Sequence, residues 1–288
     1  MKQFNKLMKP EIISRNGTSL ISRGDFLKKA LMLAGAFALG GCTKDDNENN
    51  GNVMTITRSG VGRAFFQMSG NGTTTIDWGD GTAVETQKLR TYDELPMYEH
   101  TYSDATVRTI KITGNVTWLN SSTKSILRVD VSKNKVLEKF DCRDTKITNL
   151  DVSKNTALTY LDCSDSQLTN LDVNKNTALT GLYCINNRLT NLDVSKNVKL
   201  VQLWCDNNQL TKLDVSKNVE LWDIYCRGNQ FTSTELNALF GTLHSNTILD
   251  HRGVDRRGIY IRNNPGTATC NQSIARDKGW VVNTTFQW

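Results

Sequence analysis

The hexapeptide Leu-Asp-Val-Ser-Lys-Asn, or a close variant, begins at Val129, Leu150, Leu171, Leu192 and Leu213, so one pattern recurs at a fixed step of 21 residues. A unit this short cannot bury its own apolar side, so copies must stack and bury it against one another. Stacked turns lie about 4.8 Å apart, the spacing of paired strands, and each repeat position therefore becomes a column running the length of the stack. Between the hexapeptides runs Leu-x-x-Leu-x-Cys-x-x-Asn-x-Leu, as Leu179, Leu182, Cys184, Asn187, Leu189 and again as Leu200, Leu203, Cys205, Asn208, Leu210.

These spacings resemble the leucine-rich repeat family over residues 129–233. The resemblance implies a solenoid of parallel β strands in 21-residue coils. Shifting the phase back by one unit places Val116, Leu119, Ser121, Ile126, Val129 and Val131 on apolar or small positions, which predicts one degenerate coil before the clear ones. After Phe231 the phase breaks. Ser233 is expected to cap a short helix that buries Leu236, Leu239 and Phe240. Residues 259–264 resume the pattern once, 269–278 can form a last short helix, and Val281, Val282 and Phe286 are expected to close the stack. The C-terminal cap is thus expected from about residue 233.

The columns have distinct expected roles. Leucines fill the core, and Cys142, Cys163, Cys184, Cys205 and Cys226 form an inward column of small apolar thiols. No C-x-x-C pair occurs, so no metal site or cofactor is expected, and parallel side chains suit a disulfide dihedral poorly. Asn187, Asn208, Asn229 and Asn264 are expected to satisfy backbone groups at the inward turn. Asp130, Asp151, Asp172, Asp193 and Asp214 run beside Lys133, Lys154, Lys175, Lys196 and Lys217 as opposed charge rows, which gives no reason to expect nucleic-acid binding.

Positions that alternate outward on the strands escape the consensus, and there a binding surface is expected. One column reads Asn120, Asp141, Asp162, Tyr183, Trp204, Tyr225 and Tyr260, with Tyr160 beside it. Tyr160, Tyr183, Trp204, Tyr225 and Tyr260 are the candidate ligand-binding rings, and Asp206 and Arg227 the candidate polar orienters. Rigid rings give contact area and polar neighbours fix orientation, a composition that suits a protein or a glycan. The competing reading is that the rings merely pack on each other across strands.

The segment 53–114 differs, with alternating strand-like stretches at 54–57, 64–68 and 107–112. Ile76-Asp77-Trp78-Gly79-Asp80-Gly81-Thr82 followed by His100-Thr101-Tyr102 resembles the PKD family of immunoglobulin-like domains, which implies a small β-sandwich. Asp80-Gly81 reads as a tight turn in preference to a cation site, since Asp77 and Asp80 alone supply too few oxygens.

Residues 1–41 carry seven basic and two acidic residues and end in the apolar run 30–41. Twelve residues are too few to cross a bilayer, but Leu39-Gly40-Gly41-Cys42 resembles a bacterial lipobox. The resemblance implies a lipoprotein signal at 1–41, lipid on Cys42, and an outer-membrane location; 42–52 is polar enough to be a tether. The formal charge of the whole chain is +6, and residues after 41 hold 28 basic and 27 acidic side chains, so the basic excess belongs to the leader. The domain order expected is therefore 1–41, 42–52, a β domain at 53–114 and the solenoid at 115–288.

Three histidines, His100, His244 and His251, stand in no catalytic arrangement. The chain reads as a binding protein and not an enzyme, with a passive scaffold or a glycan-processing enzyme acting through a carboxylate pair as the alternatives.

Overall fold

The computed structural model describes residues 52–94, 96–248, 255 and 257–284. The expected leader, Cys42, the tether through Gly51 and Phe286 lie outside the described residues.

Among the described residues, thirteen strands join in one sheet. Five come from the region before the repeats: β1 (Val53–Arg58), β2 (Gly62–Asp77), β3 (Glu85–Lys88), β4 (Met97–Tyr102) and β5 (Arg108–Asn120). β6 (Ile126–Asp130) follows and returns to pair antiparallel with β1. The long β2 and β5 lie antiparallel, with register shifts between Ser69 and Gly70 and between Asn71 and Thr74. Alternate residues of these strands, among them Met54, Ile56, Phe66, Ile76, Ile110 and Ile112, are buried, as a strand period of two requires. Gly114 sits at φ 146°, and a Cβ there would lie 2.8 Å from the Thr73 carbonyl oxygen, so only glycine lets β2 and β5 approach at that shift.

β5 does not stop at residue 114. Its last three residues, Trp118, Leu119 and Asn120, pair in parallel with Lys139, Phe140 and Asp141 of β7 (Lys139–Asp141). One continuous strand thus belongs to the antiparallel region and to the first coil: its residues 108–113 pair with β1, and its residues 118–120 pair with β7. The parallel run continues through β8 (Tyr160–Asp162), β9 (Gly181–Tyr183), β10 (Gln202–Trp204), β11 (Asp223–Tyr225), β12 (Gly258–Tyr260) and β13 (Val281–Asn283). With the end of β5 this makes a solenoid of about eight turns. Leu161, Leu182, Leu203, Ile224, Ile259 and Val282 stand in register across it.

The predicted columns hold. Cys142, Cys163, Cys184, Cys205 and Cys226 are buried free thiols, and burial raises each above its ordinary pKa, so they stay protonated and apolar. Asn187 donates from Nδ2 to the Cys163 carbonyl at 2.9 Å and accepts the Leu168 N–H at 2.9 Å; Asn208 and Asn229 repeat this one turn on. The Asp row serves chiefly as local turn caps. Asp151, Asp193 and Asp214 each accept the N–H two residues ahead at 2.8–2.9 Å, the main cause of their lowered pKa, ahead of the neighbouring lysines.

Two columns were not foreseen. The last Asn of each hexapeptide, Asn155, Asn176, Asn197 and Asn218, is fully buried and donates from Nδ2 to two carbonyls of the turn before, at 2.7–3.0 Å. At Asp144, Asp165, Asn186, Asn207 and Asn263 the backbone is left-handed, with φ 52–61°, and Gly228 fills the same column. Asp and Asn tolerate that conformation better than other side chains, which explains the restricted choice.

In the cap, helix α1 (Ser233–Thr242) buries Leu236, Leu239 and Phe240 as expected, but the capping residue is Thr232 and Ser233 is the first helical residue. The expected helix over 269–278 shrinks to α2 (Ser273–Arg276); Cys270 instead closes a turn onto Gly266, and the Asn271 side chain accepts the Ser273 N–H. Among the described residues no helix is long and apolar enough to cross a membrane.

Candidate functional site

The parallel strands are only three residues long, so each turns its first and third residues outward around one buried leucine, isoleucine or phenylalanine. Repetition places those side chains one strand spacing apart. Tyr160, Tyr183, Trp204, Tyr225 and Tyr260 thereby form a continuous ladder, with ring centroids 5.1, 4.9, 4.8 and 4.0 Å apart in that order. The last pair is stacked at 8°, while Trp204 stands edge-on to Tyr183 at 78°.

The ladder is less open than its sequence suggests. Tyr183 is only 4% exposed, and the other four rings are half-buried. Tyr183 folds back over its own strand, where a Cβ on Gly181 would come within 2.9 Å of its ring, and Gly258 lies under Tyr260 in the same way. The Tyr183 hydroxyl donates to Gln202 Oε1 at 2.5 Å on the next turn, and Trp204 Nε1 donates to Asp223 Oδ2 at 3.3 Å on the turn after. The rings therefore do pack on one another, as the competing reading held, and Tyr183 and Trp204 engage polar atoms of the neighbouring turns.

Asp206 and Arg227, the expected orienters, are spent on each other. Asp206 accepts from the Arg227 backbone N–H at 2.7 Å and from its guanidinium at 2.6 and 3.0 Å, with the Asp206 side chain only 3% exposed. The Arg227 guanidinium also lies 4.9 Å from the centre of the Tyr225 ring. The pair ties two turns together, and the Arg227 side chain stays 37% exposed.

At the other end of the face, Asp141 and Asp162 are both buried and share Arg143, at 3.0 and 3.7 Å. Asp141 also accepts the Ser122 hydroxyl at 2.8 Å, and Asp162 the Tyr160 hydroxyl at 3.4 Å. Burial, followed by the Asp162 charge, raises Asp141 to about 6. Asp223 is raised further, to about 7, by burial against the hydrogen bond from Trp204.

Sequence reasoning missed Tyr92. It comes from the connection between β3 and β4, meets Trp118 edge-on at 5.2 Å and lies under the Lys139 ammonium at 4.5 Å. The aromatic face thus continues beyond the solenoid onto the antiparallel region, and no repeat signal could reveal a residue brought there by a loop.

The Trp78 to Tyr102 motif is architectural. Trp78 is buried, stacks on His100 at 5.0 Å, and donates to Glu85 at 2.7 Å; its carbonyl accepts the Tyr102 hydroxyl at 2.7 Å. Asp80 caps the turn through Thr82 and meets His100 at 2.6 Å, and the Thr82 hydroxyl is the main cause that holds Asp80 down at about 2. Asp77 Oδ1 accepts the Gly79 N–H at 2.9 Å, which completes the turn.

No protein-family model matches the chain. No curated protein matches it either. Among solved structures, it is similar to an internalin of Listeria monocytogenes at 18% identity and TM-score 0.42, over 51% of this chain and 42% of that one. A leucine-rich repeat protein of Leptospira interrogans gives 20% identity and TM-score 0.43, over 55% of this chain and 39% of that one. The functional domain of InlJ from Listeria monocytogenes, described as including a cysteine ladder, gives 23% identity and TM-score 0.28, over 64% of this chain and 56% of that one. In each case the match spans less than two thirds of the solved chain. These neighbours are bacterial leucine-rich repeat proteins, and the likeness is one of fold.

Proposed function

We propose that this chain is a lipid-anchored binding protein of the bacterial outer membrane that recognises a protein ligand on the strand face of its solenoid. The observation that carries the binding reading is the five-ring ladder, flanked by buried carboxylates and arginines at positions the coil does not constrain. Leucine and asparagine columns recur from coil to coil whereas the rings do not, so the rings are not what the repeat itself requires. Aromatic and arginine side chains at the centre of a surface are the usual anchors of protein interfaces.

A protein is favoured over a glycan by the ring geometry. Sugars stack on open aromatic faces, whereas here each ring packs against its neighbours at 4.0–5.1 Å and Tyr183 is only 4% exposed. Half-buried ring surface and the Arg227 guanidinium remain for contact. The antiparallel region, with its PKD-like motif, serves as the spacer between tether and solenoid. Anchoring rests on the basic leader, the apolar run 30–41 and the place of Cys42 after it.

The test is a screen of the full chain against protein and glycan arrays, with Trp204→Ala and Tyr225→Ala compared with the wild type. At least a tenfold loss of binding to a protein, with the native circular dichroism kept, is the expected result. Binding that is indifferent to both changes would leave a passive scaffold, and a glycan hit lost on both would replace the ligand class. For the anchor, Cys42→Ser is expected to move the protein from the membrane to the soluble fraction; unchanged fractionation would remove the lipid from the account.

A further inference from the structure

The four carboxylates set among the rings are not equivalent. Asp141 and Asp162 share Arg143, and Asp206 holds Arg227. Asp223 is different. Its neighbours in register are Gln202 on one side and Gly258 on the other, neither of them charged. Its hydrogen bond comes from the neutral indole of Trp204 at 3.3 Å, and among the described residues no lysine or arginine stands within ion-pair distance. Beside it stand Trp204 and Tyr225, whose centroids are 4.8 Å apart. The same pair of turns already shows what such rings accept, since Arg227 lies over Tyr225.

A half-buried carboxylate without an ion-pair partner carries a desolvation cost that is only partly compensated, and an incoming cation relieves it. Aromatic rings around it add cation–π attraction. We propose that Asp223, with Trp204 and Tyr225, is the point at which the strand face takes a lysine or arginine side chain of its protein partner. The assignment rests on the protein-binding reading above and names the chemistry that the partner must present.

Ionisation of Asp223 supports the same geometry. The groups facing it are Asp206, which disfavours its charge, Arg227, which favours it weakly, and the hydroxyl of Tyr225; burial outweighs them and the neutral Trp204 indole. A bound ammonium or guanidinium would hold the carboxylate ionised, so binding should strengthen as pH rises through about 7.

The probe is a hexalysine peptide titrated into the full chain at 150 mM salt, at pH 8.5 and 5.5, with its fully lysine-acetylated form as control. The readout is the indole N–H resonance of Trp204, assigned by its loss in Trp204→Phe, because that proton points at Asp223. Expected are a saturable shift of this resonance with hexalysine at pH 8.5, none with the acetylated peptide, and affinity at least tenfold weaker at pH 5.5 and in Asp223→Asn. Asp214→Asn, on the outer charge row, should match the wild type. An unchanged affinity in Asp223→Asn, or no shift at pH 8.5, overturns the proposal. If a protein ligand from the arrays loses affinity in Tyr225→Ala but not in Asp223→Asn, this assignment falls while the binding reading stands; if neither change matters, both fall.

Discussion

Asn176 shows how much a single side chain carries in a stacked coil. Its Nδ2 joins the carbonyls of Val152 and Asn155, both at 2.9 Å, and the residue is wholly buried. Asn176→Ala removes two buried hydrogen bonds, while the Val152 and Asn155 carbonyls keep the N–H groups of Asn155 and Leu158, and a loss of about 1–3 kcal/mol in urea denaturation is expected. Asp223 acts in the opposite sense. Its pKa rises from about 4 in an unfolded chain to about 7 in the fold. An acid raised in this way favours the fold while protonated, and its contribution is lost as pH climbs from about 4 through about 7. Asp223→Asn keeps an oxygen for the Trp204 indole and removes the charge. It should therefore raise stability at pH 8.5, by on the order of 2 kcal/mol after allowance for partial solvent contact, and should give no gain at pH 4; melting curves at the two pH values check both.

At the scale of elements, what a strand can display is set by the residue two places before it. Tyr183 lies down over Gly181 because nothing projects there; an added Cβ would stand 2.9 Å from its ring and 3.3 Å from its hydroxyl. Gly181→Ala is expected to lift that ring, break its hydrogen bond to Gln202, and open the ladder between Tyr160 and Trp204. A crystal structure should show the ring displaced toward solvent, at a cost of about 1–3 kcal/mol for the overpacked contact. An unmoved Tyr183 would contradict this account of the glycine. Strand β5 makes the complementary point. The sequence signals suggest a β module followed by a solenoid divided near residue 114, yet the strand runs through that position and supplies the first rung of the stack. Alternation of apolar residues persists across the change of partner, so nothing local marks where antiparallel pairing gives way to parallel.

For the molecule as a whole, stability in a stack is close to a sum of units and their interfaces. Removing residues 171–191, one full period, joins Asn170 to Leu192 in unbroken phase. The product is expected to fold with one rung fewer, to keep parallel-strand circular dichroism, and to show a smaller urea m-value in proportion to the surface lost. Removing 20 residues instead shifts every later leucine off its column, and should yield no cooperative transition. If both deletions fold equally well, the register carries less than claimed here.

The period by itself determined the coil, its inward leucine, cysteine and asparagine columns, and the outward place of the rings. These follow because stacking converts a fixed sequence step into a fixed spatial neighbour at every repeat. Only the tertiary structure decided which outward groups are engaged. Tyr183 is buried over a glycine, Asp206 and Arg227 are bound to each other, Asp223 pairs with no cation among the described residues, and Tyr92 arrives from a loop outside the repeats. Ring tilt, ion-pair choice and loop reach depend on side-chain packing between particular turns and on chain segments far apart in sequence. A repeat pattern holds no record of either.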